Sequence, residues 1–134
     1  MAISGTESVV AQKLVAAIFF SWLLAQGIKL TKVSQKKSIR AFIFRGGGIV
    51  SSHSASISSL AAGVFLYQGL SLLFLAVAVF GLIVIRDVIF VRSWIAMVKP
   101  IKHSRFSEME GHTLPEVLAG ITIGIVVTLV VFLI

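Results

Sequence analysis

Residues 71–91 read SLLFLAVAVFGLIVIRDVIFV, apolar from Leu72 until Arg86 and Asp87 near the end. About 20 such residues is the length an α-helix needs to cross hydrocarbon, and a helix apolar on every face is not one that floats on a soluble core. This run sets the class: the chain belongs in a bilayer. Composition agrees, with 57% hydrophobic and only 13% charged residues among 134 and a mean hydropathy of +1.05. Working outward, Gln68-Gly69 supplies a turn before the run, and Pro100 supplies a stop beyond it, so the helix can continue to Val98. Residues 9–28 form another span, broken only by Gln12 and Lys13 near its start, where a long side chain can snorkel, and Lys29 closes it. Residues 114–134 form a further span, in which Gly120 and Gly124 make a small-residue contact face. Residues 52–67 are short for a full crossing and rich in Ser, Ala and Gly, which suits a helix buried among the others.

The expected fold is therefore an all-α integral membrane protein, one membrane domain over residues 1–134 with four transmembrane helices at 9–28, 52–67, 71–91 and 114–134. Between the first two lies a basic segment, residues 31–45, carrying Lys32, Lys36, Lys37, Arg40 and Arg45 with Ile39, Phe42, Ile43 and Phe44 at roughly helical spacing. It reads as a cytoplasmic amphipathic helix on the membrane surface, or as a disordered basic loop. Residues 1–8 hold Glu7 and no Lys or Arg, so the first helix is expected to be retained rather than cleaved as a signal peptide.

Four crossings put residues 31–51 and 93–111 on one side and the turn at 68–69 with both ends on the other. Of twelve Lys and Arg residues only Lys13 falls on the second side, so the positive-inside rule places both long loops in the cytoplasm, at the cell membrane. Anionic headgroups account for the net charge of +7, and no interleaving of basic and aromatic residues on a polar domain points to nucleic acid. The absence of cysteine excludes disulfides and thiolate metal sites.

Two motifs carry chemistry. Residues 45–55, RGGGIVSSHSA, join glycines that let backbone approach a ligand to serines at a helix start and to His53; residues 111–116, GHTLPE, put His112 at the mouth of the last helix. Helix N-termini at Ser51, Ser52 and Thr113 are where anions bind, and Lys29, Arg45, Arg92 and Arg105 fall on the same side to hold phosphate oxygens. One neutral histidine can attack phosphorus while the other protonates the leaving alkoxide, with Glu116 fixing the tautomer of His112. Plainer readings stand beside these. Thr113-x-x-Glu116 is also a capping box, the histidines can be ordinary interfacial residues, His103 reads as a loop residue, and His53, His112, Glu116 and Asp87 have the types of a metal site. Asp87, an acid near the end of a membrane helix, wants a partner among Lys29, Arg45 and Arg92. Gly46 to Gly48 is no P-loop, since no Gly-Lys-Ser/Thr follows.

At GGIVSSHSA (47–55), DVIFVR (87–92) and EGHTLPEV (110–117) the chain resembles the small divergent branch of the type 2 phosphatidic acid phosphatase and vanadium haloperoxidase superfamily. The resemblance implies a metal-independent, acid-phosphatase-like membrane hydrolase of lipid metabolism, without cofactor, working through a phosphohistidine. It implies His112 as nucleophile, Glu116 as its carboxylate partner, His53 as general acid, Ser51, Ser52 and Lys29 at the phosphate, and Gly47, Gly48, Asp87 and Gly111 shaping the site. Arg92 and Arg105 are alternatives for the superfamily's phosphate-binding arginine. The chain departs from the branch at Ile49-Val50, where Met-Pro is usual, and at Phe90, where Gly is.

The expected function is hydrolysis of a lipid phosphate or isoprenyl diphosphate at the cytoplasmic face, by a homo-oligomer because four helices enclose little. The alternatives are a catalytically weak member that binds anionic headgroups or assembles with other membrane proteins, and a small transporter using Asp87 and the basic mouth.

Overall fold

The computed structural model describes residues 5–31, 50–98 and 112–134, the side chains at 92, 93 and 95–98 excepted. Those residues form four helices and no strand: α1 (Gly5–Leu30), α2 (Ser52–Gln68), α3 (Leu72–Val98) and α4 (Leu114–Leu133). The described residues are all-helical as the sequence implies, and α3 does run on to Val98. Three helices are long and apolar enough to cross a membrane, α1, α3 over Leu72–Val91, and α4; α2 does not reach that length. The basic segment at residues 31–45 lies outside the described residues but for Thr31, whose hydroxyl donates to the Ile28 carbonyl at 2.8 Å.

The shortest helix is the hub. α2 packs against α1, α3 and α4, and α1 also packs on α4, whereas α3 packs chiefly on α2. The reason lies in side-chain size. Ser52, Ser54, Ala55, Ser59, Gly63 and Val64 are buried on α2, facing Ala17, Ser21 and Ala25 of α1 and the stripe Val117, Gly120, Gly124 and Thr128 of α4. Small residues let backbones approach, so dispersion and interhelical hydrogen bonds hold helices that lipid alone would not drive together. A Cβ built on Gly120 would collide with the Ser51 carbonyl oxygen, and one on Gly124 with the Ala55 carbonyl oxygen and the Ser58 hydroxyl.

Hydroxyls in this seam find partners across it. Ser59 Oγ and Thr128 Oγ1 are 2.8 Å apart, and Thr128 Oγ1 is also 2.8 Å from the Gly124 carbonyl oxygen, while Ser58 Oγ reaches the Ile121 carbonyl oxygen at 3.3 Å. Interhelical hydroxyl pairs in membrane proteins are worth about 0.6 kcal/mol on average and under about 2 kcal/mol at most. Thr128→Val is therefore expected to lower stability in detergent by about 1 kcal/mol, and a double-mutant cycle with Ser59→Ala, followed by denaturant unfolding, should return a favourable coupling of about 0.6 kcal/mol.

Local signals set the ends of the helices. Ser51 Oγ caps α2 by accepting from the Ser54 amide at 3.3 Å, and Gly69, at φ +62°, ends it with its amide on the Phe65 carbonyl at 2.8 Å. Ser71 Oγ then caps α3 by accepting from the Phe74 amide at 3.1 Å. The helices alternate in direction. Lys13 Nζ near the start of α1 reaches the Phe132 carbonyl near the end of α4 at 3.4 Å, and a Cβ on Gly63 would meet Leu14 and Phe132. At the opposite end Lys29 meets Ser52, and Ser51 meets Glu116.

Candidate active site

That opposite end gathers the chemistry. The Ser51 amide donates to the Glu116 carbonyl at 3.0 Å, fixing the entry of α2 to the first turn of α4. Beneath it Val50, Ala25 and Ala55 form a buried cluster flanked by Ile28, Ala119 and Ile123. Val50, one of the two departures from Met-Pro, is thus a packing residue. The His112 amide lies 3.4 Å from the Val88 carbonyl oxygen, which ties the mouth of α4 to α3.

Glu116 performs both roles the sequence allows it. Its Oε2 accepts from the Thr113 amide at 2.7 Å, closing the start of α4, and lies 3.2 Å from His112 Nδ1. A carboxylate only accepts, so Nδ1 carries the proton and Nε2 keeps its lone pair. The imidazole is 3% exposed, and half-buried Lys29 places Nζ 3.4 Å from Ser52 Oγ, close enough for its charge to act on His112. His53, one residue on from Ser52, is exposed and also acts on His112 through space. Lys29, Ser52, His53, His112 and Glu116 thus share one end of the bundle, contributed by α1, α2 and α4.

Burial holds His112 below the ordinary histidine value near 6.5, the positive charge of Lys29 pushes the same way, the hydrogen bond and charge of Glu116 oppose, and His53 adds a smaller push downward. The neutral ring therefore persists to more acidic pH than in an exposed histidine. The unfolded chain takes up this proton first, so stability from this group is complete above about 6.5 and falls as pH drops below it. Side-chain ¹⁵N NMR should show His112 titrating below 6.5, lower still in Glu116→Gln, where the opposing carboxylate is lost, and higher in Lys29→Met, where a repelling charge is lost.

Several expectations are corrected. The Ser51 and Thr113 amides are not open to an anion, since Glu116 engages both through its carbonyl and carboxylate, and the Ser51 hydroxyl, fully buried, is taken up by Ser54. Among the described residues the Ser52 and His53 amides are the ones at this helix start without an acceptor. Asp87 is exposed on α3 and makes no ion pair with Lys29, while its other expected partners, Arg45 and the Arg92 side chain, lie outside the described residues; no three of His, Asp and Glu gather as metal ligands among the described residues. Phe90 is 48% exposed with Arg86 over its ring at 5.6 Å, so its bulk lies on the outer face of α3. Arg45, Gly47, Gly48, His103, Arg105, Gly111 and the Arg92 side chain lie outside the described residues.

Two contributors escaped the sequence reading, the carbonyls of Val88 and Glu116. Every residue carries a backbone carbonyl, so no residue type announces either. Ser54, which bonds the Ser51 hydroxyl at 2.9 Å, was signalled only by its place at the start of a serine-rich helix.

No curated protein and no solved structure matches the chain. A family model described as the Divergent PAP2 family matches residues 10–127, nearly the whole length and every described residue of the cluster, and the chain belongs to that family.

Proposed function

We propose that the protein is a membrane phosphohydrolase that cleaves a lipid phosphate or diphosphate through a phosphohistidine on His112. The observation that carries this reading is the buried imidazole with Nδ1 on Glu116, which leaves Nε2 as the nucleophile, beside a lysine and a second histidine. Nε2 attacks phosphorus, the bond from phosphorus to the leaving oxygen breaks, and protonated His53 gives its proton to that oxygen. Water then attacks the phosphohistidine, the P–N bond breaks, inorganic phosphate leaves, and His53 takes up the proton of the water. Lys29, Ser52 and the amides of Ser52 and His53 stabilise the charge on the phosphoryl oxygens, with Arg45 and one of Arg92 and Arg105 as further cationic partners.

In this reading α2 is the fourth crossing. Its 17 residues give about 25 Å of helix and it meets α1 and α4 near both of their ends. The positive-inside pattern puts the site at the cytoplasmic face of the cell membrane, level with headgroups, which favours a lipid substrate.

The test is phosphate release by the purified protein in detergent from a panel of lipid phosphates and diphosphates, with chelator present. Release that persists in chelator and is inhibited by vanadate supports the mechanism, and release abolished by chelator contradicts it. A second reading, a member that binds anionic headgroups without turning them over, draws on the engagement of the Ser51 and Thr113 amides by Glu116, which leaves fewer donors for a transition state. Binding to vesicles containing phosphatidate with no release from any ester would favour it.

A further inference from the structure

A groove of about 330 Å³ between α1, α2 and α3 begins at the candidate active site. Its polar end is Ser52 and His53 with Ser56 one turn deeper, and the rest of its walls are Ile18, Trp22, Ile57, Leu60, Phe80 and Val84. Because neighbouring helices run in opposite directions, depth can be followed along each one. Moving away from His53, α2 presents Ile57 and then Leu60, α1 presents Trp22 and then Ile18, and α3 presents Val84 and then Phe80. From His53 to Leu60 is seven residues, about 10 Å of helix. The polarity therefore falls in one direction, from a histidine at headgroup level to hydrocarbon on three sides. A Cβ on Gly81 would lie 3.1 Å from Ile57, so α3 sits close on α2 at this level and the groove stays narrow.

Two other grooves among the described residues lack this gradient. One along α1 at Ala11, Val15 and Phe19, and another between α2, α3 and α4 at Phe65, Phe74 and Leu129, carry no titratable side chain and give a bilayer lipid no reason to prefer one headgroup.

We infer that the groove between α1, α2 and α3 holds the single hydrocarbon chain of a phosphate-bearing lipid, with the phosphate at Ser52 and His53 and the chain passing Trp22 to reach Leu60 and Phe80. The inference deepens the phosphatase reading and rests on it for the headgroup. It makes Leu60 and Phe80 specificity-determining residues. In a bilayer the chain gains little from apolarity alone, so the groove acts by shape: chains that end at or before Leu60 seat fully, and longer ones must pass it.

The test uses the whole protein in phosphatidylcholine nanodiscs and alkyl phosphonates of four to fourteen carbons, which bind without being hydrolysed, some with a photoreactive terminal diazirine. Probes of eight to ten carbons are expected to label Ile18, Leu60 and Phe80, and to be displaced at least tenfold better by unlabelled phosphonate than by an alcohol of equal length. His53→Ala should weaken labelling. Leu60→Trp should weaken binding of the ten-carbon probe about tenfold and leave the four-carbon one unchanged. If Leu60→Trp does not fold, Phe80→Ala, which trims an exposed ring, should still reduce labelling at Leu60. Label spread over the outer faces of α3 and α4, or displaced equally by the alcohol, or unchanged in Leu60→Trp or Phe80→Ala, overturns the inference. The readout is independent of turnover. Labelling as described without hydrolysis of any ester sinks the phosphatase reading alone, and hydrolysis with no chain-length dependence and no groove labelling sinks the groove alone.

Discussion

His112→Ala is expected to abolish phosphate release from alkyl and aryl phosphates alike, by roughly 10⁴-fold or more, because in the proposed mechanism it removes the atom that bonds to phosphorus. A merely structural histidine would not behave this way, since its loss could be made good by conditions that restore folding. The companion variant supplies the contrast. His53→Ala removes only the proton donor to the leaving oxygen, a contribution of roughly 10²- to 10⁴-fold, and that contribution matters little for an aryl ester whose leaving group departs unprotonated. Alkyl phosphate turnover should therefore collapse in His53→Ala while aryl phosphate turnover is largely retained, and both should collapse in His112→Ala. Steady-state rates for an alkyl and a nitrophenyl phosphate, measured on the two variants in parallel, check this. Aryl turnover lost equally in His53→Ala would remove that residue from the acid role, and any substantial turnover surviving in His112→Ala would remove it as nucleophile.

The second large effect is structural. Gly124→Leu is expected to separate α2 from α4, because the new Cβ would occupy space held by the Ala55 carbonyl oxygen and the Ser58 hydroxyl, with the Ser59 amide 2.9 Å away. A hydroxyl can turn aside, but a backbone carbonyl moves only if its helix does. Overpacking of this kind costs about 1–3 kcal/mol in a core that can adjust, and more where backbone is the obstacle. Gly124→Leu should lose folded yield outright or lower the unfolding midpoint steeply in a thermal melt in detergent. Gly27→Ala is the control: among the described residues nothing lies within 4 Å of its Cβ, and the change is expected to stabilise α1 by up to about 1 kcal/mol through helix propensity. Equal behaviour of the two variants would contradict the close-packed seam.

Much of this arrangement was legible in the residues. The apolar runs give three of the helices directly, and the small residues of 52–67 identify α2 as the helix the others surround. That His53 and His112 come to a common end was expected from helices alternating in direction, each histidine standing at the start of its helix. What stayed hidden depended on the backbone or on surface orientation. Ser51 looked like a phosphate ligand because serine at a helix start so often is one, yet its hydroxyl caps α2 and its amide belongs to Glu116. Asp87 was expected to pair with Lys29, Arg45 or Arg92; it lies on an exposed face of α3 away from Lys29, and the two arginine side chains lie outside the described residues. Phe90 and Val50 read as losses against the branch pattern. Phe90 lies on the outer face of α3, and Val50 packs with Ala25 and Ala55 in the buried cluster.

The central claim is a covalent bond between His112 and phosphorus, and it can be observed directly. The protein is mixed with a lipid phosphate carrying labelled phosphorus, quenched in alkali within the first turnovers, digested, and the peptides examined by mass spectrometry. The account predicts acid-labile, alkali-stable phosphate on the peptide containing His112, chased away on further incubation and absent in His112→Ala. Substrate turning over with no label on that peptide, or with label on another residue that is chased at the rate of turnover, would contradict it.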